Sequence, residues 1–257
     1  MNINIKIISQ LRDQTGAGIG DCKAALAETG GDIEKAIEVL RKKGEIKAAK
    51  KADRETKEGL VALAKGEGKL AAVVLACETD FVSRGDDFIK TAGDFAKKLL
   101  TDGEAGFREW AEGVIKNELV VKIGENIQLA DFGVMSGEII GSYLHSNKKV
   151  AGAVVLRGGD NSLADEIAMQ VAAMSPKYLN LAVIPADILE KEKEIYREQL
   201  KNENKPEAIW NKIIDGKLAK FYEENCLLNQ IYIKDETKKI SDFLGDAEII
   251  NFKRFSV

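Results

Sequence analysis

The same order of strand and helix signals occurs twice along this chain, and this repetition limits the possible folds more than any other feature. In the first copy, two apolar runs at residues 60–64 and 70–77 flank a turn that contains glycine. In the second copy, residues 139–145 and 150–156 flank another turn. Apolar residues at helical spacing follow in both copies, so each copy predicts a β-hairpin covered by helices.

The register between the copies predicts an insertion in the second one. Aligning Val73 with Val154 gives an offset of 81 residues, whereas aligning Ile123 with Leu244 gives an offset of 121, a difference of 40. Two charged stretches of helical character, residues 188–199 and 207–223, lie in this interval and predict a helical hairpin. The alternative to duplication is chance resemblance between two ordinary hairpin–helix units, and we favour duplication.

The first 54 residues predict three short helices. Ile3, Ile7 and Leu11 share one helical face, residues 15–18 form a glycine-containing turn, and a second helix is expected over residues 21–28. Asp32 is a suitable N-cap for the third helix. Residues 41–57, with eight basic and three acidic side chains, are interpreted as a tether. They form either a solvated helix or linker or a basic stripe that faces an acidic partner.

These signals together predict an α+β protein with three parts. Residues 1–54 form a three-helix N-terminal domain with a basic tether, residues 55–136 form core subdomain 1, and residues 137–257 form core subdomain 2. Each subdomain is an antiparallel sheet with helices, and the second is interrupted by the helical hairpin at residues 184–226. The hairpin cannot bury both its faces within the domain, so we expect it to contact a partner or a second copy of this chain.

Most enzyme chemistries lack the residues that they need. The chain has one histidine, His145, no Cys-x-x-Cys pair and no G-x-x-x-x-G-K-[ST] loop, so we expect no metal, no cofactor and no catalytic activity. The glycine-rich residues 16–20 follow a helical pattern and predict an interhelical turn. A hydrolase that pairs Cys22 or Cys77 with His145 remains an alternative, although Cys77 lies in an apolar run where a buried, unreactive thiol is the default.

Composition predicts a soluble cytoplasmic protein that docks onto another protein. The longest apolar run, residues 70–77, is far shorter than the ~20 residues that span a bilayer. No signal peptide is evident, and three widely spaced cysteines favour a reducing compartment. The net charge of −4 argues against direct nucleic-acid binding.

The segment Cys77-Glu78-Thr79-Asp80-Phe81-Val82-Ser83-Arg84 connects a buried strand to a helix. Local physics favours a helix cap from Thr79, Asp80 or Ser83, with Phe81 packed as a hydrophobic staple. A loop with rigid flanks is also a good platform for function. The second copy has Arg-Gly-Gly-Asp at residues 157–160 instead, and this asymmetry suggests that the segment does more than cap a helix.

Several motifs, in this order, resemble the bacterial translation elongation factor Ts family over essentially the whole chain. They are Leu-Arg-Asp-Gln-Thr-Gly-Ala-Gly at 11–18, Asp-Cys-Lys-Ala-Ala-Leu at 21–26, Gly-Asp-Ile-Glu at 31–34, Lys-Ala-Ala-Lys-Lys-Ala at 47–52, Glu-Thr-Asp-Phe-Val at 78–82 and Lys-Ile-Gly-Glu-Asn-Ile at 122–127. The resemblance implies guanine-nucleotide exchange on elongation factor Tu. It also implies a ubiquitin-associated-like N-terminal bundle, two similar core subdomains and a protruding coiled coil.

The resemblance further implies three groups of partner-binding residues. The element that enters the GTPase near its Mg²⁺ matches Thr79, Asp80, Phe81 and Val82. The N-terminal helices are implied to grip the nucleotide-binding domain through Arg12, Thr15, Gly16, Ala17, Gly18 and Lys23. In core subdomain 2, His145 matches a histidine used against another domain of the partner.

Two departures from the family pattern reduce the expected extent of contact with the partner. The sequence ends at Val257, directly after its last predicted strand, where some members continue with a further helical module. Gly20 stands where other members have a bulkier residue. The alternative function is an RNA-binding or chaperone-like translation accessory protein, but residues 41–57 contain no aromatic side chain on which a base could stack.

Overall fold

The structure, a computed structural model, describes residues 4–257 apart from the side chains of Glu45 and Lys47. Ile3, which we assigned to the first helical face, lies outside the described residues. The chain divides into two compact units. Unit 1 comprises Met1–Val134, Ser146–Val150 and Phe255–Val257, and unit 2 comprises Met135–His145 and Ala151–Arg254. The domain boundaries that we derived from the sequence stay predictions.

Three helices begin unit 1: α1 (Ile5–Thr15), α2 (Ile19–Glu28) and α3 (Ile33–Lys51). Gly16 ends α1 in the left-handed conformation (φ 65°), which glycine adopts without steric penalty. The Asp32 side chain caps α3 by accepting a hydrogen bond from the Lys35 backbone N–H (3.1 Å), as predicted. The small core of this bundle is formed by Leu11, Ala17, Cys22, Ala25, Leu26, Ala36 and Leu40.

The predicted tether is wrong as far as Lys51, because α3 continues to that residue. Lysine, arginine and alanine make up most of residues 41–51 and are strong helix formers, which offsets the weaker helix propensity of Gly44. Tertiary packing adds to this propensity, since Ala48 packs against the buried cluster that contains Val73 and Phe88. Only residues 52–57 connect α3 to the first strand.

The rest of unit 1 is built on a three-stranded sheet with the order β1-β2-β3. Its elements are β1 (Glu58–Gly66), β2 (Lys69–Cys77), α4 (Asp80–Ser83), α5 (Asp86–Asp102), α6 (Phe107–Val114), α7 (Val120–Ile123) and β3 (Gln128–Ser136), the last of which continues into unit 2. A π-helical turn, Ile115–Leu119, joins α6 to α7 and was not predicted. Strands β1 and β2 are antiparallel, as expected for a hairpin. Phe88, Phe95 and Leu99 of α5 are buried in the same core as the inner residues of these two strands.

Unit 2 contains most of the corresponding sheet, with the order β4-β5-β8, while Val150 and residues 255–256 are assigned to unit 1. Its elements are β4 (Ile139–Leu144), β5 (Val150–Arg157), α8 (Asn161–Met174), α9 (Ala186–Asn202), α10 (Trp210–Asn225), β6 (Ile231–Tyr232), β7 (Asp235–Lys239), α11 (Ile240–Phe243) and β8 (Glu248–Ser256). Helix α8 packs closely on the sheet, since a Cβ at Gly152 would collide with the Ala168 carbonyl. The α+β fold class is confirmed.

The inserted helical hairpin is present as α9 and α10. The two helices bury Leu200, Ile214 and Leu218 against each other. The repeat register is also visible in the backbone, because Gly124 and Gly245, which are 121 residues apart, both have positive φ (84° and 58°). Each of these glycines precedes the third strand of its sheet.

The close packing of α3 on the π-helical turn generates a stability prediction. A Cβ at Gly44 would lie 2.9 Å from the Lys116 carbonyl oxygen and would also meet Val121, so the Gly44→Ala variant must shift one helix. We expect its free energy of unfolding to fall by about 1–3 kcal/mol, as for other overpacked sites. Urea unfolding followed by circular dichroism measures this change.

Gly93→Ala is the matched control, because a Cβ at this position in α5 meets nothing within 4 Å. There the higher helix propensity of alanine should raise stability by up to about 1 kcal/mol. Equal effects of the two substitutions would contradict the proposed close packing at Gly44.

Candidate functional site

The connection between β2 and α5 presents an exposed aromatic side chain. Phe81, in the single turn of α4, is 87% exposed, whereas its neighbour Val82 packs against the core of unit 1. The predicted hydrophobic staple is therefore wrong. Successive residues of a helix point about 100° apart, so Phe81 points away from the protein when Val82 faces the core.

Asp80 lies beside Phe81 at the protein surface. Its Oδ2 is 3.2 Å from Nη2 of Arg84, one helical turn later; the Arg84 side chain is largely exposed and the Asp80 side chain is partly exposed. Exposed pairs of this kind contribute little to stability. Asp80 therefore remains available for polar contacts with a partner.

One carboxylate holds the start of this loop. Oε2 of Glu125 accepts hydrogen bonds from the backbone N–H groups of Glu78 and Thr79, each at 3.0 Å. Oε1 of Glu125 accepts a further bond from the Thr79 hydroxyl at 2.6 Å. Thr79 occupies the N-cap position of α4, but its hydroxyl is used for this long-range bond instead of capping the helix.

A second carboxylate, that of Glu78 in the loop, bonds back to the segment that contains Glu125. Oε1 of Glu78 accepts a hydrogen bond from the Asn126 backbone N–H at 2.6 Å. The Asn126 side chain in turn donates to the Arg54 carbonyl at 2.7 Å. We call Glu78, Thr79, Glu125 and Asn126 the carboxylate clasp; it ties the loop to the segment that follows α7.

The clasp explains the acidity of Glu78. Its pKa is lowered chiefly because the Asn126 N–H group stabilises the charged form, with a further contribution from the nearby Arg54 guanidinium. The Lys51 ammonium group donates to the Gly124 carbonyl, so the end of α3 is bonded to the same turn.

The Cys77 thiol belongs to the structure of the loop and has the properties of an unreactive group. It is buried and donates to the Thr79 carbonyl (3.3 Å). Burial raises its pKa to about 12, and the charge of Glu125 adds to the shift. A thiol that stays protonated is a poor nucleophile, which weighs against the hydrolase alternative.

The N-terminal residues implied by the resemblance divide into exposed and structural groups. Arg12, Gly18 and Lys23 are exposed on the surface. Ala17 is fully buried, and the Thr15 hydroxyl donates to the Leu11 carbonyl at 2.7 Å. Thr15 and Ala17 therefore shape the turn, while Arg12, Gly18 and Lys23 can contact another molecule.

Lys122 links this turn to the Phe81 loop. Its side chain packs against Gly16, where a Cβ would lie 3.0 Å from its methylene carbons, and its ammonium group pairs with Asp87 at 2.7 Å. A cavity of about 230 Å³ next to Phe81 is lined by both Asp87 and Lys122. The structure thus brings the Gly16 turn and the Phe81 loop to neighbouring positions in unit 1.

His145 lies in unit 2, directly after β4. Its ring is exposed and makes an edge-on contact with Tyr143, with ring centroids 6.3 Å apart. Residues 4–257, apart from the Glu45 and Lys47 side chains, contain no group of three or more His, Cys, Asp or Glu residues that could hold a metal ion. Within the same described part, no helix is long and apolar enough to cross a membrane.

An exposed aromatic side chain on a firmly held loop is typical of proteins that bind another macromolecule. Comparison with known proteins narrows this class. The family model for elongation factor TS matches residues 78–257. Elongation factor Ts of Hydrogenobaculum sp. (strain Y04AAS1) is 42% identical over 100% of this chain and 99% of its own length.

Other relatives give the same picture. Elongation factor Ts of Chlorobium phaeobacteroides (strain BS1) is 43% identical over 95% of this chain and 92% of its own, and that of Aquifex aeolicus (strain VF5) is 40% identical over 99% and 97%. The chain belongs to the elongation factor Ts family. It is therefore an elongation factor of protein biosynthesis.

The residues that hold the loop were not predicted from the sequence. Glu78, Glu125 and Asn126 were part of the motifs that carried the resemblance, but they were given no role. Two motifs contained a usable signal. The motif at residues 78–82 begins after a predicted strand, the motif at residues 122–127 ends at the start of one, and each contains a carboxylate next to a turn. Only the fold brings together residues 47 positions apart in sequence.

The lowered pKa of Glu78 generates a pH prediction. A carboxyl group whose pKa is lower in the folded than in the unfolded state stabilises the fold above the unfolded value, and this contribution disappears as pH falls through the folded value. The free energy of unfolding of Glu78→Gln should therefore be lower than that of the wild type at pH 7. The gap should close as the pH falls below about 4.5.

Urea unfolding at several pH values measures the gap, with Glu55→Gln as a control on an exposed carboxylate. A gap between wild type and Glu78→Gln that stays constant down to pH 3 would contradict an ionised Glu78 in the clasp.

Proposed function

We propose that this chain is a guanine-nucleotide exchange factor for elongation factor Tu. It promotes GDP release by disturbing the Mg²⁺ and phosphate site of the GTPase. The observation that carries the proposal is the 87% exposure of Phe81 on a loop held by two carboxylates. A large apolar side chain kept out of its own core, on a loop held in place, is available to enter a pocket of another protein.

The proposed mechanism needs no covalent step. Mg²⁺ in a GTPase bridges phosphate oxygens and protein side chains, and it holds the nucleotide in place. Phe81 would displace the partner side chains around this ion, and Val82 would anchor its base to the core of unit 1. Thr79 and Asp80 would make polar contacts at the entrance. The factor then acts through binding energy alone, so no catalytic residue, metal or cofactor of its own is required and the chain is not an enzyme in the usual sense.

Further contacts would orient the factor on its partner. Arg12, Gly18 and Lys23, with the turn shaped by Thr15, Gly16 and Ala17, would bind the nucleotide-binding domain. His145 would meet another domain. By thermodynamic linkage, the exchange factor lowers the affinity of the GTPase for nucleotide, and nucleotide lowers the affinity of the GTPase for the exchange factor by the same ratio.

The hairpin of α9 and α10 would serve a separate contact. Ile195 and Ile209 are 47% and 42% exposed on it, which is consistent with a homodimer of the factor or with a partner surface. The three described cysteines are free thiols, which fits a cytoplasmic location, where thiols stay reduced.

Release of a fluorescent GDP from elongation factor Tu tests the proposal, and Phe81→Ala sharpens it. Micromolar wild-type chain should accelerate release. Removing an interface anchor typically costs 2 kcal/mol or more, so Phe81→Ala should slow the stimulated rate by about 30-fold. Because Phe81 is exposed in the free protein, the melting temperature of the variant should stay unchanged.

Ile46→Ala is the matched control, since Ile46 is also an exposed apolar residue (56%) in unit 1 and has no proposed role. It should keep the wild-type rate. Absence of any acceleration by the wild-type chain would refute the proposed function, whereas full activity of Phe81→Ala would refute the role of Phe81.

A further inference from the structure

The clasp contains a partly buried residue, Glu125, that is bonded to the start of the loop that carries Phe81. Glu125 is partly buried, and its carboxylate accepts three hydrogen bonds from the two residues that precede α4. Hydrogen bonds to a charged acceptor are roughly twice as strong as neutral ones. The three bonds fix the direction in which the chain enters the single turn of α4.

The backbone turn at Gly124 allows the Glu125 side chain to contact the loop. Gly124 ends α7 in the left-handed conformation (φ 84°), and its N–H group donates to the Val120 carbonyl at 3.0 Å. A residue with a side chain is strained in this conformation, so glycine is the residue suited to this turn. The turn places Glu125 next to the 78–79 backbone, and Asn126 then returns a bond to Glu78.

In unit 2, the loop that corresponds to the Phe81 loop carries no aromatic residue, and the residue equivalent to Glu125 is Asp246. Asp246, 121 residues after Glu125, is followed by Ala247, and the glycine-containing loop at residues 157–160 lies against the backbone of these two residues. There Asp160 caps α8 by accepting from the Leu163 N–H at 2.8 Å. In unit 2 the loop is thus held by close backbone approach and by the Arg157–Glu248 ion pair (3.0 Å) at its start. In unit 1 the loop backbone is held by hydrogen bonds to the Glu125 side chain.

We infer that Glu125 is a positioning residue for nucleotide exchange: by holding the Glu78 and Thr79 backbone, it keeps Phe81 in the orientation that enters the GTPase. This inference rests on the proposed function. Glu125 acts only through the loop, so its removal should matter only as long as Phe81 is present.

The test measures GDP release from elongation factor Tu as a function of factor concentration, which separates the maximum rate from the half-saturating concentration. Glu125→Ala should lower the maximum rate about 10-fold or more, since it removes all three bonds, and it should change the half-saturating concentration less than about threefold. Adding Glu125→Ala to Phe81→Ala should slow release no further, because residues that act as a unit are not additive.

Conservative variants separate positioning from simple destabilisation. Glu125→Gln should stay within about threefold of the wild type, because its amide oxygen can still accept from both N–H groups and its amide nitrogen can donate to the Thr79 hydroxyl. Thr79→Val removes one bond of the three and should give an intermediate maximum rate even if Glu125→Ala does not fold. Amide hydrogen exchange at residues 78 and 79 should quicken in Glu125→Ala.

Glu104→Ala is the matched structural control. Glu104 also accepts a backbone hydrogen bond over a long sequence distance, from the Val134 N–H at 2.7 Å in unit 1, but it lies outside the loop. It should keep the wild-type maximum rate.

The outcomes separate the two proposals. A wild-type chain that does not accelerate release overturns the proposed function and, with it, this inference. If the wild type is active and Phe81→Ala is slow, a normal maximum rate for Glu125→Ala overturns the inference alone. Additive losses in the double variant also overturn it, since they would mean that Glu125 acts independently of Phe81.

Discussion

Two backbone N–H groups at the end of a buried strand point to a single carboxylate oxygen, and the arrangement of the exposed loop depends on this interaction. Without the Glu125 carboxylate, the N–H groups of Glu78 and Thr79 would lose their partners at the point where β2 ends. A buried or partly buried N–H group without a partner is unfavourable, so the loop would move toward water. The clasp therefore keeps a four-residue helix, too short to be stable by itself, in one position.

The two similar sheets differ in what their strand-to-helix loops present at the surface. Each sheet has a β-hairpin, a helix that packs on it and a third strand that follows a glycine with positive φ. In unit 2 the glycines at positions 141 and 152 allow α8 to approach the strands closely, and the strand-to-helix loop is short of apolar side chains. In unit 1 the corresponding loop carries Phe81 outward. The same architecture thus gives one packed, structural copy and one copy that presents an aromatic residue.

Sequence patterns predicted the elements whose burial is repeated at regular spacing. The strands around Val73 and Val154, helix α5 with Phe88 and Phe95, and the inserted hairpin were all evident from periodicity, because each of them buries one continuous face or strand. The extension of α3 through Lys51 was missed, because charged residues read equally well as a solvated helix or a tether. Local physics placed Phe81 in the core because an apolar residue beside a cap is usually buried, whereas the family resemblance implied that Phe81 enters a partner; the 87% exposure of Phe81 agrees with the second interpretation. The clasp was missed because a carboxylate gives no local sign of the distant N–H groups that it will accept.

A thermodynamic cycle that includes both affinities tests whether the loop carrying Phe81 couples binding of the factor to release of the nucleotide. Isothermal titration calorimetry would give the affinity of wild type and Phe81→Ala for elongation factor Tu with and without GDP. We predict that the wild type binds the nucleotide-free form more tightly than the GDP-bound form, by the same ratio by which it weakens GDP binding. Phe81→Ala should reduce this ratio. Equal affinity of the wild-type chain for both forms would contradict the account, because a ligand that does not distinguish two states cannot shift the equilibrium between them.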